Sequence, residues 1–325
     1  MAAIDSTPTP SHDPLDTTVL EAWRGRDDGP GAEHRRWFHA VLPAGHQDAA
    51  RDATALIGFA SDAGVARNLG RTGAAAAPRA LRSALASLSY EGEVGSVTDA
   101  GDVVVRGDEL EAGHAALGRA VADELRAGRF VTVLGGGHET AFGSYLGLRD
   151  GLQPGTRLGV LNLDAHFDLR RAERPGSGTP FLQMADDRAA RGESFDYAVV
   201  GISRPNNTGV LFETAERLGV RYLEDEDAQD PADVVRFVNE FAAGVDALYL
   251  TIDLDVLPAA VAPGVSAPAG FGVPLPAIRA AALAAAATGK LALLDVVELN
   301  PSFDVDARTA RTAARLIHDV VTRRA

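Results

Sequence analysis

The sequence predicts an α/β protein of three layers (αβα), in which helices cover both faces of a mostly parallel, doubly wound sheet. From about Ala53, short apolar runs typical of buried strands alternate with longer amphipathic runs typical of helices. Such alternation indicates βαβ units, whose parallel strands are buried between two helical layers. Three of the amphipathic runs end in a glycine (Gly128, Gly244 and Gly289), the residue that most often terminates a helix.

The predicted elements follow one another from residue 54 to residue 323. Buried strands are predicted for the apolar runs 54–60, 131–137, 158–164, 197–203, 247–255 and 291–299. Helices are predicted for the amphipathic runs 111–128, 231–244, 275–289 and 306–323. No internal repeat or long linker interrupts them, so residues 51–325 are expected to form a single α/β catalytic domain.

Residues 1–50 are expected to form an N-terminal tail and arm that is partly disordered. Residues 1–14 are rich in Pro, Ser, Thr and Asp, a composition that does not support a packed core. They also lack the basic and apolar regions of a signal peptide. Residues 24–36 are charged and contain Gly and Pro, which predicts an irregular arm.

The composition restricts the partners and the compartment. Lys and Arg number 31 against 45 Asp and Glu, a formal net charge of −14. Nucleic acids and anionic membranes attract basic surfaces, so neither partner is expected. The absence of cysteine excludes disulfides, thiolate-bound zinc and a cysteine nucleophile, and it suits a cytoplasmic protein. No uncharged apolar run reaches the roughly 18 residues of a membrane span.

Acidic and imidazole side chains lie at the ends of four of the predicted strands or directly after them. Ligands of an open parallel sheet bind beyond the carboxyl ends of its strands. If the four strands are neighbours, their terminal side chains form one site. These side chains are His138 in "GGGHE", Asp164, His166 and Asp168 in "DAHFD", Asp253 and Asp255 in "DLD", and Glu298 in "VVELNP".

Four of these groups are aspartate carboxylates, on Asp164, Asp168, Asp253 and Asp255. Like charges this close cannot all stay ionised without compensation, and no Lys or Arg lies inside the motifs. Two divalent cations would balance them, and carboxylate and imidazole ligands without thiolates favour Mn²⁺ or a similar ion. Each motif alone is more typical of a solvated loop, but together they predict a dinuclear metal site of the kind that catalyses hydrolysis.

The motifs "GGGHE", "DAHFD" and "TIDLDVLP" resemble those of the ureohydrolase superfamily, which includes arginase, agmatinase and formimidoylglutamase. The resemblance extends from about Ile57 to Leu316. It implies an arginase-like fold and two Mn²⁺ ions per subunit. It also implies that one ion is held by His138, Asp164, Asp168 and Asp253, and the other by Asp164, His166, Asp253 and Asp255.

The loop after "DAHFD" indicates the branch of the superfamily. Arginase-like and agmatinase-like members usually have a histidine in this loop, whereas "LRRAERPGSGTPF" has none. The stretches "GSGTPF" and "GISRPNNTGVLF" are instead similar to formimidoylglutamase. That resemblance implies hydrolysis of N-formimidoyl-L-glutamate to L-glutamate and formamide in histidine degradation.

Further residues are predicted to contact the substrate. The resemblance implies that Glu298 holds the cationic formimidoyl group, and the missing loop histidine leaves Asp168 as the candidate proton donor to the leaving nitrogen. The substrate also carries two carboxylates, and the planar fork of arginine fits a carboxylate. Arg170, Arg204 and Asn207 are therefore predicted to bind substrate.

Other functions stay open at this point. A guanidino substrate would make the protein a urea-releasing amidinohydrolase such as an agmatinase, a guanidinobutyrase or an arginase. The missing loop histidine and the nearby arginines favour an acidic substrate instead. A non-catalytic metal-binding relative and a one-zinc, deacetylase-like enzyme are further alternatives. Relatives form trimers and hexamers, so the resemblance implies a homo-oligomer acting on a small molecule.

Overall fold

Nine parallel strands form the central sheet of residues 16–325, the part of the chain that the computed structural model describes. The strands are β1 (Val41–Pro43), β2 (Thr54–Ala60), β3 (Val97–Val104), β4 (Val131–Leu134), β5 (Leu158–Leu163), β6 (Asp196–Ile202), β7 (Arg221–Glu224), β8 (Ala247–Asp253) and β9 (Leu291–Val297). Their order across the sheet is β1-β3-β2-β4-β9-β8-β5-β6-β7. Every neighbouring pair is parallel, as the sequence predicts.

Helices cover both faces of this sheet, which completes the predicted three layers. They are α1 (Trp37–Ala40), α2 (Ala63–Arg67), α3 (Ala77–Ala86), α4 (Leu110–Arg126), α5 (Thr140–Gly151), α6 (Pro180–Ala190), α7 (Gly209–Leu218), α8 (Pro231–Ala242), α9 (Leu275–Ala286) and α10 (Arg308–Arg323). Short 3₁₀ segments lie at Thr17–Ala22, Ala32–His34, Ala74–Ala76, Arg204–Asn206 and Leu254–Val256. No helix within the described range is long and apolar enough to cross a membrane.

All six predicted strands and all four predicted helices are present, but the apolar pattern does not predict β3. This strand carries Asp99 and Asp102, residue types that strands usually exclude. The fully buried guanidinium of Arg82 donates to both carboxylates, at 2.6 Å to Asp99 Oδ2 and 2.6 Å to Asp102 Oδ1. Trp23 Nε1 also donates to Asp99. Pairing by a residue of α3, the helix that precedes β3 in the chain, therefore makes an acidic strand possible in the core.

Part of the N-terminal arm packs onto the sheet domain. Trp37 is fully buried, packs against Tyr90 and donates from its indole nitrogen to His318 Nδ1 at 3.0 Å. β1 adds a three-residue edge strand beside β3. Trp37 and Ala40 thus belong to the core of the sheet domain, although they precede residue 51, where the sequence predicts that this domain begins. The predicted disorder of residues 1–14 lies outside the described residues.

The sheet order brings the four functional strand ends together. β4, β9, β8 and β5 are consecutive in the sheet, although β5, β6, β7 and β8 all lie between β4 and β9 along the chain. Each is buried along almost its whole length between the two helical layers. The condition on which the predicted site depends, that these strands are neighbours, is therefore met.

Candidate metal centre

The side chains predicted to bind metal lie beyond the carboxyl ends of these four adjacent strands. β4 leads into the glycine loop before His138, β5 leads into Asp164, and β8 ends at Asp253. Glu298 directly follows β9, and its carboxylate accepts a 2.8 Å hydrogen bond from the backbone N–H of His138, 160 residues away. The strands thus supply one cluster from distant parts of the sequence.

The motifs "DAH" and "DLD" each form a turn of the same kind. Asp164 Oδ1 accepts from the backbone N–H of His166 at 2.7 Å, and Asp253 Oδ1 accepts from that of Asp255 at 2.8 Å. An aspartate that bonds to the N–H two residues ahead turns the chain locally. The turn directs the side chain two positions later back to the same site, which explains the alternate spacing in "DAH" and "DLD".

The Nδ1 atom of His138 lies among three carboxylates. It is 3.1 Å from an oxygen of each of Asp164, Asp168 and Asp253. An imidazole nitrogen can donate only one hydrogen, and this buried atom has no hydrogen-bond partner of good geometry within residues 16–325. A lone pair and three carboxylates that converge on one point fit the coordination sphere of a cation better than they fit a hydrogen bond.

A second group of ligands adjoins the first. His166 Nδ1 is 3.1 Å from Asp255 Oδ2 and 3.4 Å from Asp164 Oδ1. The potential ligand atoms of His138, Asp164 and Asp168 lie within 4.8 Å of one another, and so do those of Asp164, His166 and Asp255. Asp164 belongs to both sets, with one oxygen toward each. The arrangement therefore fits two cations that share Asp164.

The electrostatics of the cluster also favour bound cations. Burial and the neighbouring Asp164 raise the pKa of Asp168, while burial and the charges of Asp255 and Asp164 raise the pKa of Asp253 well above its usual range. Burial disfavours the charged imidazole of His138, but the attraction of the surrounding carboxylates, with Asp164 foremost, outweighs burial and raises its pKa well above 6.5. Protons and metal cations compete for the same lone pairs. The cluster is thus a concentration of negative charge that a pair of divalent ions would neutralise.

Two residues of the site adopt left-handed backbone conformations. Asp168 has φ +48° and Glu298 has φ +67°, a region that residues with side chains rarely occupy. Such conformations persist where surrounding contacts hold them, and they concentrate at functional sites. Here they direct two carboxylates into the cluster from loops that follow β5 and β9.

Glu298 presents one carboxylate oxygen that is not engaged. Its Oε1 accepts from His138, while its buried Oε2 has no partner among the described residues. Burial and the nearby charge of Glu139 raise the pKa of Glu298 to about 8. Glu139 itself accepts from Ser61 Oγ at 2.8 Å and from the backbone of Gly64 at 2.9 Å, so it supports the loops. One oxygen of Glu298 is therefore fixed against the His138 backbone, while the other has no partner among residues 16–325.

The arginines predicted near the site differ in their pairing. Arg171 and Arg174 face the carboxylates of Asp186 and Asp108. Arg170 has no carboxylate within 4.0 Å among residues 16–325, and its side chain packs over Gly178, where a β-carbon would lie 2.9 Å from its Cδ. Arg170 is thus the unpaired cation of the loop that follows the metal motif.

Asn68 lies beside this arginine. A β-carbon at Gly178 would lie 3.3 Å from Asn68 Oδ1, and Asn68 Nδ2 donates to Ser177 Oγ at 3.2 Å. Arg67 donates to Asp108, Glu111 and the Pro175 carbonyl, while Arg71 donates to the Val265 and Ser266 carbonyls. Arg67 and Arg71 therefore hold the loops together.

Two predicted substrate-binding residues have other partners in this structure. Arg204 pairs with Glu224 at 2.8 Å and stacks on Phe212, and 62% of its side chain is exposed. The buried Asn207 donates to the Ala165 and Ser203 carbonyls at 2.9 Å and accepts from the backbone of Phe167 at 3.1 Å. Asn207 therefore braces the turn that carries His166 and Asp168, and its substrate role, like that of Arg204, stays an untested prediction.

Several buried polar side chains that support the cluster are not singled out by the sequence analysis. His138 Nε2 lies 3.1 Å from Thr251 Oγ1, and Asn162 Nδ2 donates to Asp164 Oδ2 at 2.9 Å. Asp295 accepts from Ser144 at 3.0 Å and from Tyr249. The signal that could have identified them is a polar residue inside an otherwise apolar strand, as in "LGVLNL", "ALYLTID" and "LALLDVV".

Comparison with known proteins agrees with this geometry. The model of the arginase family matches residues 52–322. Formimidoylglutamase of Nocardia farcinica is 56% identical over 303 residues, which cover 93% of this chain and 96% of the relative. Formimidoylglutamase of Ralstonia nicotianae is 51% identical, with 95% and 96% covered.

The fold has close counterparts among solved structures. A crystal structure of Trypanosoma cruzi formiminoglutamase with Mn²⁺₂ superposes with a TM-score of 0.74 at 27% identity, covering 83% of this chain and 93% of that one. The predicted arginase-like fold and the resemblance to the ureohydrolases are thereby confirmed. On its sequence, its fold and the match over residues 52–322, the chain belongs to the arginase family.

Proposed function

We propose that this protein hydrolyses N-formimidoyl-L-glutamate to L-glutamate and formamide at a centre of two Mn²⁺ ions per subunit. The observation that carries the proposal is the pair of ligand groups that share Asp164. The similarity to formimidoylglutamases over almost the whole chain supports the substrate. The formiminoglutamase structure with Mn²⁺₂ supports the metal.

The residues present fit two metal ions in the way that the family resemblance implies. His138, Asp164, Asp168 and Asp253 would hold one ion, and Asp164, His166, Asp253 and Asp255 would hold the other. When bound, a pair of divalent metals lowers the pKa of water and withdraws electrons from the group under attack. Side chains of the protein would bind and orient the substrate and transfer the proton.

Glu298 would bind the cationic formimidoyl group. Its engaged oxygen fixes the carboxylate against the His138 backbone, and its other oxygen is buried without a partner. A buried carboxylate with a pKa near 8 gains a large stabilisation from a cation that pairs with it. The amidinium carries that charge at the end of the substrate that reacts, so Glu298 would orient the carbon that is attacked.

Asp168 would transfer a proton to the leaving nitrogen. The loop between Leu169 and Phe181 contains no histidine that could do so. Asp168 lies at the rim of the cluster, with 12% of its side chain exposed, and burial and Asp164 raise its pKa. A carboxyl group within reach of the leaving atom can transfer a proton in the transition state.

Arg170 would bind a carboxylate of the substrate. It lies two residues beyond Asp168 and is unpaired among the described residues, whereas Arg171 and Arg174 are already paired with acidic side chains. Asn68 is the neighbouring polar group. The metal centre would hydrolyse the amidine at one end of the substrate, while Arg170 would bind a carboxylate at the other end. This division would explain why an unpaired arginine follows the metal motif.

We also infer a cytoplasmic homo-oligomer that acts on a small molecule and not on nucleic acid or membranes. The net charge of −14 and the absence of cysteine support these inferences. The trimeric or hexameric state is inferred from the family resemblance alone.

A substrate panel tests the proposed reaction against its alternatives. The purified full-length protein is loaded with Mn²⁺ and assayed with N-formimidoyl-L-glutamate, arginine, agmatine and 4-guanidinobutyrate. We expect formamide and glutamate from the first compound and no urea from the others. Urea release from a guanidino compound without turnover of formimidoylglutamate would identify an amidinohydrolase of another branch. No turnover of any of them, with two metals bound, would favour a non-catalytic relative.

A further inference from the structure

Asn162 is a polar residue at the centre of an apolar strand. It lies in β5, whose other residues are Leu, Gly and Val, and it is fully buried. Its Oδ1 atom has no hydrogen-bond partner within residues 16–325. An unsatisfied amide oxygen in the core is destabilising, and an apolar residue at this position would continue the strand pattern. We therefore expect the amide nitrogen of Asn162 to make contacts that offset the cost of the unsatisfied oxygen.

The amide nitrogen of Asn162 makes two hydrogen bonds. Nδ2 donates to Asp164 Oδ2 at 2.9 Å and to the hydroxyl oxygen of Tyr197 at 3.0 Å. Because a carboxylate can only accept, the atom that faces Asp164 must be the nitrogen, so the orientation of the amide follows from the chemistry. The oxygen of Asp164 that receives this bond is also the one that lies 3.1 Å from His138 Nδ1.

The second hydrogen bond continues into the turn of the metal motif. The hydroxyl of Tyr197 accepts from Asn162, so its own hydrogen is free, and it donates to the Phe167 carbonyl at 3.0 Å. Phe167 lies between His166 and Asp168 in sequence. One amide group is therefore linked directly to the ligand shared by both metal sets and indirectly to the turn that carries two further ligands.

We propose that Asn162 is a positioning residue for the metal centre: its amide holds the Asp164 carboxylate and, through Tyr197, the backbone turn between His166 and Asp168. The inference rests on the proposed dinuclear site. It deepens that proposal, because the spacing of three ligands from one turn then depends on one buried side chain. Groups that bond to metal ligands orient them, and removing such groups typically lowers metal affinity about 10- to 100-fold.

The test is Mn²⁺ binding by full-length protein from which metal has been removed, with free Mn²⁺ followed by electron paramagnetic resonance. Asn162→Leu keeps the size of the side chain and removes the donor. We expect its Mn²⁺ dissociation constant to rise about 10- to 100-fold and its spin-coupled dinuclear signal to weaken. Tyr197→Phe removes the hydroxyl that links Asn162 to Phe167 but leaves the hydrogen bond from Asn162 to Asp164 in place, so it should show a smaller rise.

The matched control is Thr132→Val in β4. Thr132 is also a buried polar residue of a central strand, and its hydroxyl has no partner among the described residues. We expect this variant to bind Mn²⁺ like the wild type. Circular dichroism verifies folding, and Asn162→Ala replaces the leucine variant if that variant does not fold.

Two outcomes separate the inference from the proposal on which it depends. A folded Asn162 variant that binds two Mn²⁺ ions as tightly as the wild type overturns the positioning role and leaves the metal centre intact. A wild-type chain that does not bind two ions overturns the metal centre itself.

Discussion

His138 Nδ1 lies 3.1 Å from Asp253 Oδ2 across the end of β9, the strand that separates their own strands in the sheet. The contact joins the loop after β4 to the end of β8. Asp253 is also linked through its other oxygen to the backbone of Asp255. Asp253 thus contacts a ligand of the first group and the backbone of a ligand of the second. The family resemblance implies that it bridges the two ions, and this expectation leads to the first prediction.

Asp253→Asn should abolish most of the activity and most of the metal binding. The substitution keeps the shape of the side chain but replaces a charged oxygen of the residue that, by the family resemblance, is expected to contact both ions. We expect turnover of N-formimidoyl-L-glutamate to fall more than about 100-fold, beyond the loss typical of groups outside the ligand sphere. Elemental analysis should find fewer than two Mn²⁺ per chain. Asp227→Asn, the same change at an exposed carboxylate, is the control and should alter neither.

Glu298→Gln should separate substrate binding from metal binding. Glutamine can still accept from the His138 backbone, but it cannot pair its charge with an amidinium. We expect kcat/KM to fall by about 100-fold or more, equivalent to about 3 kcal/mol, with two Mn²⁺ ions retained. Loss of metal in parallel with activity would instead indicate that Glu298 supports the ligands.

Arg170→Ala should weaken substrate binding without affecting the metal. Loss of a charge-assisted contact to a carboxylate predicts a rise in KM of about 10- to 100-fold, with a smaller change in kcat. The neighbouring Arg171→Ala is the matched control, because Arg171 already faces Asp186 at 3.4 Å. Equal effects of the two substitutions on steady-state kinetics would remove the argument for a specific role of Arg170.

His114 predicts a pH dependence of stability. It is buried between Phe59 and Phe142, and burial lowers its pKa to about 4 from 6.5. Between these values the unfolded chain binds a proton that the folded chain does not, so stability is greatest above pH 6.5 and falls as the pH decreases toward 4. Between pH 7 and pH 5 this group should remove about 2 kcal/mol from the free energy of unfolding.

The variant His114→Leu isolates that contribution. Urea unfolding at pH 7 and at pH 5 gives the free energy of unfolding of both proteins. The wild type should lose about 2 kcal/mol more than the variant on acidification. Equal losses in the two proteins would show that His114 does not titrate as its burial requires.

Some strands of this fold could be predicted from the sequence and β3 could not, and the difference has a physical cause. Strands buried on both faces are continuous apolar runs, so β2, β4, β5, β6, β8 and β9 could be predicted from the sequence alone. β3 could not, because its aspartates are acceptable only when Arg82 neutralises them, and that pairing is a tertiary contact. Predictions of substrate-binding residues are limited in the same way, because they too depend on tertiary contacts.

The predicted site shows the same contrast. The predicted metal-binding motifs are local in sequence and lie at strand ends, so the sequence predicts that their seven side chains meet at the carboxyl end of the sheet, and the structure brings them together there. Their roles stay predictions. The pairing of Arg204 with Glu224 and the bracing role of Asn207 depend on residues about 20 and 40 positions away. Such long-range partners determine which arginine is unpaired, and no pattern in the sequence identifies them.

The most direct test of the account is a Mn²⁺ titration of metal-stripped protein with turnover of N-formimidoyl-L-glutamate measured at each step. The account predicts no turnover without metal, restoration on adding Mn²⁺ and saturation at two ions per chain. Full turnover without metal, or saturation of both binding and activity at a single ion, would contradict a centre in which two ions share Asp164.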